Sequence, residues 1–386
     1  LLEDLQQAYR AQTLPSKTSA YQHWAQQLQA YAPTLNAQLP YWQAQSLDAD
    51  LPCDNPQGGL QNRLGTTLEM RLNAEQTRQL LHDAPAAYRT QVNDLLLTAL
   101  ARVISRWSGQ PAALIQLEGH GREDLFDALD LTRTVGWFTS LFPVRLQGDG
   151  ELSSAIKSVK EQLRAVPDKG LGYGVLRYLG TPQARESLAG LGAPRITFNY
   201  LGQFDRQFNE SALWVPANQG SGQAQDPEAA LANWLTVEGQ VYGGELALRW
   251  GFSREMFEAS TIQGLVDDYR RELLALIEHC VDPQHGGFTP VDVDLARLTQ
   301  QQLDDLALSP REVQDLYPLS PMQQGMLFHS LYQQGRDDIY VSQLRADIHG
   351  LDVPRFRCAW EHVLARHAML RTGFVWQDAQ IGRAHV

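Results

Sequence analysis

A chain of 386 residues with 43% hydrophobic and 20% charged side chains lies in the globular range and has room for two or three domains. Its formal net charge of −12, from 32 basic against 44 acidic side chains, provides no cationic footprint for a polyanion and argues against nucleic acid. Cys53, Cys280 and Cys358 are widely spaced and form no C-x-x-C pair, so the pattern offers neither a disulfide framework nor a zinc site and fits a reducing, cytoplasmic setting. No apolar run reaches bilayer length, which argues against a membrane, and no secretory leader is recognisable.

The chain opens without Met on Leu1, Leu2, Leu5 and Tyr9 at helical spacing, as though inside a helix. Residues 1–50 read as helices anchored by Trp24, Tyr31, Tyr41 and Trp42 and broken at Pro15, Pro33 and Pro40. Thr66, Leu68, Met70 and Leu72 alternate as on a strand, and Asn73 with Gln76 forms a capping box for the helix that follows. Val92, Leu95, Leu96, Ala99, Leu100, Val103, Ile104 and Trp107 make a continuous helical stripe that requires burial. Residues 112–118 are strand-like and 151–165 helical. From Arg195 to Leu201, Ile196, Phe198 and Tyr200 alternate with Thr197 and Asn199.

Residues 216–229 turn polar and Gly-rich, the composition of an exposed loop. Gly243-Gly244 supplies the positive φ angles of a tight hairpin, a strand carrying Leu246, Leu248, Trp250 and Phe252 follows, and a helix over roughly 255–280 closes the unit. Residues 281–312 read as a linker. Ser320-Pro321-Met322-Gln323 then marks a strong helix start, Tyr340 to Ile348 reads as a strand, and Phe356, Trp360, Val363, Leu364 and His367 form another helical stripe.

Five segments, VNDLLLTAL (92–100), EGHGRED (118–124), RTVGWFTSLFP (133–143), PDKGLGYG (167–174) and FNYLGQFD (198–205), resemble the epimerisation domains of nonribosomal peptide synthetases, in the family's order and over about residues 1–280. YPLSPMQQGMLFH (317–329) and RHAMLRTGF (366–374) resemble the opening of a condensation domain, of the subtype that accepts a donor ending in a D-residue. The resemblance implies an α/β, chloramphenicol-acetyltransferase-like fold: two lobes around a tunnel entered by phosphopantetheine arms. Mainly the C-terminal lobe of one copy is expected here (1–280), then a linker (281–312) and the start of a second copy (313–380). The family's His-His-x-x-x-Asp-Gly signature is missing, since none of the ten histidines neighbours another. LLEDLQQAY resembles the helix that follows that signature, so the chain is expected to be a piece cut just downstream of it. Residues 381–386, Ile-Gly-Arg-Ala-His-Val, leave the family pattern. They can be encoded by ATC GGA AGA GCA CAC GTC, which resembles a sequencing-library adapter, and are expected to be an artefact.

The resemblance implies inversion of the α-carbon of a carrier-bound aminoacyl or peptidyl thioester, from L to D, ahead of a condensation step. Such inversion removes a proton from one face, returns one to the other and stabilises charge on the thioester oxygen, without a metal or bound cofactor. The substrate would arrive on the 4′-phosphopantetheine arm of a carrier domain. The implied partners are carrier domains upstream and downstream and an adenylation domain of the same synthetase. By itself, the chain could instead be a non-catalytic carrier-docking or scaffold piece.

By resemblance, Glu118 is the leading proton-transfer residue, with Asn199 and Tyr200 as further site residues. Adjacent strand residues face opposite ways, so Asn199 and Tyr200 share the tunnel only through a twist or bulge, and Tyr200 equally continues the Ile196–Phe198 core stripe. Arg122 and Glu123 either pair with Glu118 or nearby backbone and hold its orientation, or make a surface ion pair worth little. His120 either polarises the site or fills a turn, and Trp137 and Phe138 line the tunnel, bridge the lobes or belong to core. Gly170 to Gly174 reads as a turn, not a dinucleotide site. Arg371 serves the neighbouring site or a salt bridge.

Overall fold

The computed structural model describes residues 1–47, 50–203, 222, 224–332, 340, 342–375 and 382–385, the last four by their backbone. In chain order the helices are α1 (Leu2–Tyr9), α2 (Tyr21–Tyr31), α3 (Leu39–Gln43), α4 (Ala74–Arg78), α5 (Pro85–Tyr88), α6 (Val92–Ser108), α7 (Leu152–Arg164), α8 (Leu171–Leu179), α9 (Pro182–Ala189), α10 (Ala259–Val281), α11 (Gln300–Asp305), α12 (Pro321–Tyr332) and α13 (Val353–Arg366). The strands are β1 (Gly65–Arg71), β2 (Ala113–Gly119), β3 (Ser140–Leu146), β4 (Ile196–Gln203), β5 (Leu235–Tyr242), β6 (Glu245–Ser253), β7 (Asp315–Pro318), β8 (Thr372–Val375) and β9 (Gly382–His385). They divide between two units, one formed by Leu1–His82 with Gln91–His279, the other by Asp83–Thr90 with Cys280–Val386.

The first unit is built on a six-stranded sheet in the order β1-β6-β5-β4-β2-β3. β4 runs parallel to both its neighbours, β2 and β5, and every other pairing is antiparallel. Between β5 and β6, Gly243 and Gly244 have φ of +62° and +77°, the backbone a two-residue hairpin needs to keep the strands twisted together. One sheet face is apolar, carrying Ile115, Leu117, Ile196, Phe198, Val237, Leu248 and Trp250, all buried. α6 and α10 pack here: Trp250 meets Tyr269 edge-on at 5.5 Å, and the Tyr269 hydroxyl donates to the Leu96 carbonyl at 3.1 Å. Sequence at the ends of α6 sets its length, with a Gln91/Asp94 capping box at the start and Gly109 in the left-handed region just past the end. Asn73 and Gln76 cap α4 in the same reciprocal way.

The other face is polar. Register aligns Asn199 with Glu238, Glu238 with Arg249 and Arg249 with Glu69, and it ends on an ion pair between Arg249 and Glu69 at 3.1 Å. In the first fifty residues helix is broken at Pro33 and Pro40 as expected: α2 ends at Tyr31, and the two prolines sit in the first turns of a separate 3₁₀ segment (Ala32–Gln38) and of α3, where the missing N–H has no partner to lose.

The second unit has a small core of Phe288, Val293, Leu303, Val313 and Leu316. Residues 281–312, read as linker, therefore carry buried anchors. The segment escapes periodicity analysis because its helical pieces are α11 and two single 3₁₀ turns. Arg89 donates to the carbonyls of Val313 and Gln314 at 2.6 and 2.7 Å and lies over the Phe288 ring, and Gly287 donates its N–H to Ala87. β7, β9 and β8 form a three-stranded antiparallel sheet with β9 central. Backbone pairing is indifferent to side-chain identity, and Gly382–His385, in the segment expected from the sequence to be an artefact, takes part through its backbone.

The predicted strand at 340–348 is not found: Tyr340 and residues 342–348 carry no ladder, because alternation assigns faces but a strand also needs a neighbour to bond. Val341 lies outside the described residues, as does most of the expected 216–229 loop. α12 begins as predicted, with Ser320 and Gln323 exchanging hydrogen bonds. The α13 stripe is exposed. Arg371 donates to the Gln314 side chain at 2.7 Å. Among the described residues no helix is long and apolar enough to cross a membrane, and the three cysteines are unpaired.

Leu96 is fully buried, and its carbonyl accepts from the Tyr269 hydroxyl. Leu96→Ala is expected to lower unfolding free energy by about 2–5 kcal/mol, measured by urea denaturation, through lost transfer energy and an unfilled cavity.

Candidate active site

Glu118 is the penultimate residue of β2, one step beyond the last paired position, Leu117 with Phe198. That step brings it beside Asn199, whose side-chain amide donates to Glu118 Oε2 at 2.7 Å. Past Glu118 the chain must turn sharply. Gly121 has φ +66°, and a Cβ there would lie 1.6 Å from the Phe138 carbonyl oxygen, so only glycine fits.

Glu118 borders a cavity of about 360 Å³, walled by Leu97, Leu117, Phe142, Phe198 and Tyr200 and edged by Asn93 and Lys169. Tyr200 follows Phe198 on the apolar side of β4 and Asn199 points to the polar side, as strand geometry demands. Both nevertheless adjoin Glu118, one across the cavity and one by hydrogen bond, because Glu118 stands where β2 ends. β4 also loses regular register with β5 between Tyr200 and Gln203.

The Glu118 carboxyl is raised above its ordinary pKa, first by partial burial and second by the negative charge of Glu238. Disfavouring the carboxylate makes it a stronger base when ionised. Burial also raises the Tyr200 phenol, which keeps it protonated as a donor. Sequence reading passed over Glu238. The alternation Thr236, Glu238, Gln240 was available as a face, but only the β4–β5 register sets that face beside Asn199.

The remaining predicted residues build a bracket next to the cavity. Arg122 does not pair with Glu118. It donates to the carbonyls of Leu131 and Thr134 at 2.6 and 2.8 Å and stacks 3.9 Å above the Phe138 ring, because the turn at Gly121 aims it away from the strand end. Glu123 is buried and pairs with Lys169 at 3.0 Å and His120 at 3.3 Å, again leaving Glu118 to Asn199. His120 Nδ1 accepts the Arg122 backbone N–H at 3.0 Å, which puts its proton on Nε2, toward Glu123. Phe138 is buried edge-on against Tyr21 at 5.0 Å, whereas Trp137 is 80% exposed and its carbonyl accepts from the Tyr21 hydroxyl at 2.8 Å.

Next to this bracket lies a strained turn, with Asp168, Lys169 and Gly170 at φ +45°, +50° and +92°, of which Lys169 borders the cavity. Tyr31 and Gln38 hold it by donating to Asp168 Oδ2 at 3.0 and 2.7 Å, and the Phe142 ring excludes any side chain at residue 170. Among the described residues no three His, Cys, Asp or Glu side chains converge as metal ligands would.

Removing the Glu238 charge should lower the Glu118 pKa, though not to its ordinary value, since burial is the larger cause and persists. In Glu238→Gln, ¹³C-detected carboxyl titration of the chain should place the Glu118 midpoint at lower pH than in the unmodified protein. An unmoved midpoint would count against the coupling.

A condensation-domain family model matches residues 1–298 and 313–382. A linear gramicidin synthase from Brevibacillus parabrevis is 43% identical over 98% of this chain, and tyrocidine synthase 1 of the same organism is 38% identical over 79%. The crystal structure of the epimerization domain from the third module of tyrocidine synthetase B superposes with a TM-score of 0.65 at 40% identity over 72% of this chain. The chain spans 8% of the first relative, 30% of the second and 63% of that solved domain. With one family model covering nearly all of its residues and close relatives aligned along almost its whole length, this chain belongs to the condensation-domain family.

Proposed function

We propose that the chain is part of a nonribosomal peptide synthetase and that residues 1–280 serve the epimerisation of a carrier-bound aminoacyl or peptidyl thioester. The observation that carries this reading is Glu118, a carboxyl of raised proton affinity held by Asn199 at the edge of a cavity that Tyr200 also lines. In the proposed step Glu118 takes the α-proton as the Cα–H bond breaks, and the electron pair moves onto the thioester oxygen. A proton returned to the opposite face completes the inversion with no net oxidation or reduction.

Asn199 fixes one carboxylate oxygen so that the other faces the substrate. Tyr200, protonated, would donate to the developing enolate oxygen, where a charge-stabilising donor counts most. The group serving the opposite face belongs with the family's His-His-x-x-x-Asp-Gly signature, which this sequence does not contain. The substrate would reach Glu118 on a phosphopantetheine arm from a carrier domain, loaded by an adenylation domain, and residues 313–380 would begin the condensation domain that receives the product.

The reading is tested by α-proton exchange into D₂O from an aminoacyl carrier thioester, followed by mass spectrometry in the synthetase that contains this chain. Glu118→Gln should reduce exchange by about 10²–10⁴-fold, the usual contribution of a positioned acid–base group. Undiminished exchange would overturn the assignment. Tyr200→Phe should slow it by about 10²-fold if the phenol stabilises the enolate.

A further inference from the structure

The cavity that Glu118 borders is a recess between the end of α7, the first turns of α6 and the apolar face of β2, β3 and β4. Its walls are the side chains of Leu97, Leu117, Phe142, Leu163, Val166 and Phe198. Its volume, about 360 Å³, is in the range of small-molecule sites.

The charged groups on its border are already engaged. Both carboxylate oxygens of Asp94 accept from Arg164, at 3.0 and 2.7 Å, and Oδ2 also takes the Gln91 N–H at 2.7 Å. Lys169 is paired with the buried Glu123. Glu118 itself is held by Asn199 at the opening.

We propose that this recess seats the side chain of the residue being inverted and that it selects an uncharged, largely apolar side chain, up to aromatic size. The assignment rests on the reading of Glu118 as the base. A base within hydrogen-bond reach of the α-proton puts the α-carbon at the recess opening, so the side chain it bears has this space to enter. Apolar side chains gain by leaving water against Phe142, Phe198 and the leucines. A carboxylate or ammonium driven into the same space would shed its hydration against apolar walls; Asp94, Arg164 and Lys169 are already ion-paired, and Glu118, at the opening, is committed to the α-proton.

In the synthetase containing this chain, carrier domains are charged directly with preformed alanyl, leucyl, phenylalanyl, aspartyl and lysyl phosphopantetheine arms, bypassing selection by adenylation, and α-proton exchange is measured for each. Leucyl and phenylalanyl thioesters should exchange at least about tenfold faster than aspartyl and lysyl ones. Val166→Trp and, separately, Leu163→Trp narrow the recess from two different elements. Each should lower the phenylalanyl-to-alanyl rate ratio by about tenfold or more. Equal exchange across the five thioesters, or a ratio unmoved in both folded variants, would overturn the side-chain assignment while leaving Glu118 as base. Loss of exchange for every thioester in the unmodified synthetase would instead sink the epimerisation reading, and this assignment with it.

Discussion

The candidate site depends on the parallel register of β4 against β2. Leu117 opposite Phe198 fixes the next step of each strand, and that step places the Asn199 amide 2.7 Å from the Glu118 carboxylate. A slip of one residue would exchange the two faces of β4, sending Asn199 toward the helices and Phe198 toward solvent. The apolar face of the sheet prevents such a slip, since Ile196 and Phe198 are buried in the layer beneath α6 and α10. Packing of one face thus sets the chemistry of the other.

Around that pair the backbone is shaped by close approach. Gly121 lets the chain leave β2 beneath the Phe138 carbonyl, and the left-handed turn at 168–170 brings Lys169 to the cavity edge. Side chains that could compete for Glu118 are held elsewhere: Arg122 by two carbonyls and an aromatic ring, Glu123 by Lys169 and His120. Glu118 therefore has a neutral amide partner, not a cation, and a second carboxylate nearby in Glu238. A cation at hydrogen-bonding distance would lower its proton affinity; burial and Glu238 raise it.

The second unit applies the same economy on a smaller scale. Five buried apolar residues, one arginine bonding two carbonyls and a three-stranded sheet order a segment whose composition reads as connector. Segment 83–90 lies close in sequence to α6 and takes part in this unit through Ala87 and Arg89.

Local sequence determined most of the elements: the capping boxes at Asn73, Gln91 and Ser320, the Gly243-Gly244 hairpin, the α6 stripe and the alternation of β4 are properties of neighbouring residues, and neighbouring residues are what a linear chain displays. The family resemblance likewise singled out Glu118, Asn199 and Tyr200. Tertiary structure alone decided what each of them touches. Whether Arg122 reaches Glu118 or the carbonyls of Leu131 and Thr134, whether Glu238 lies beside Asn199, and whether Tyr340 to Ile348 finds a strand to pair with all depend on segments distant in sequence. Long-range register and packing fix those relations, and no local periodicity encodes them.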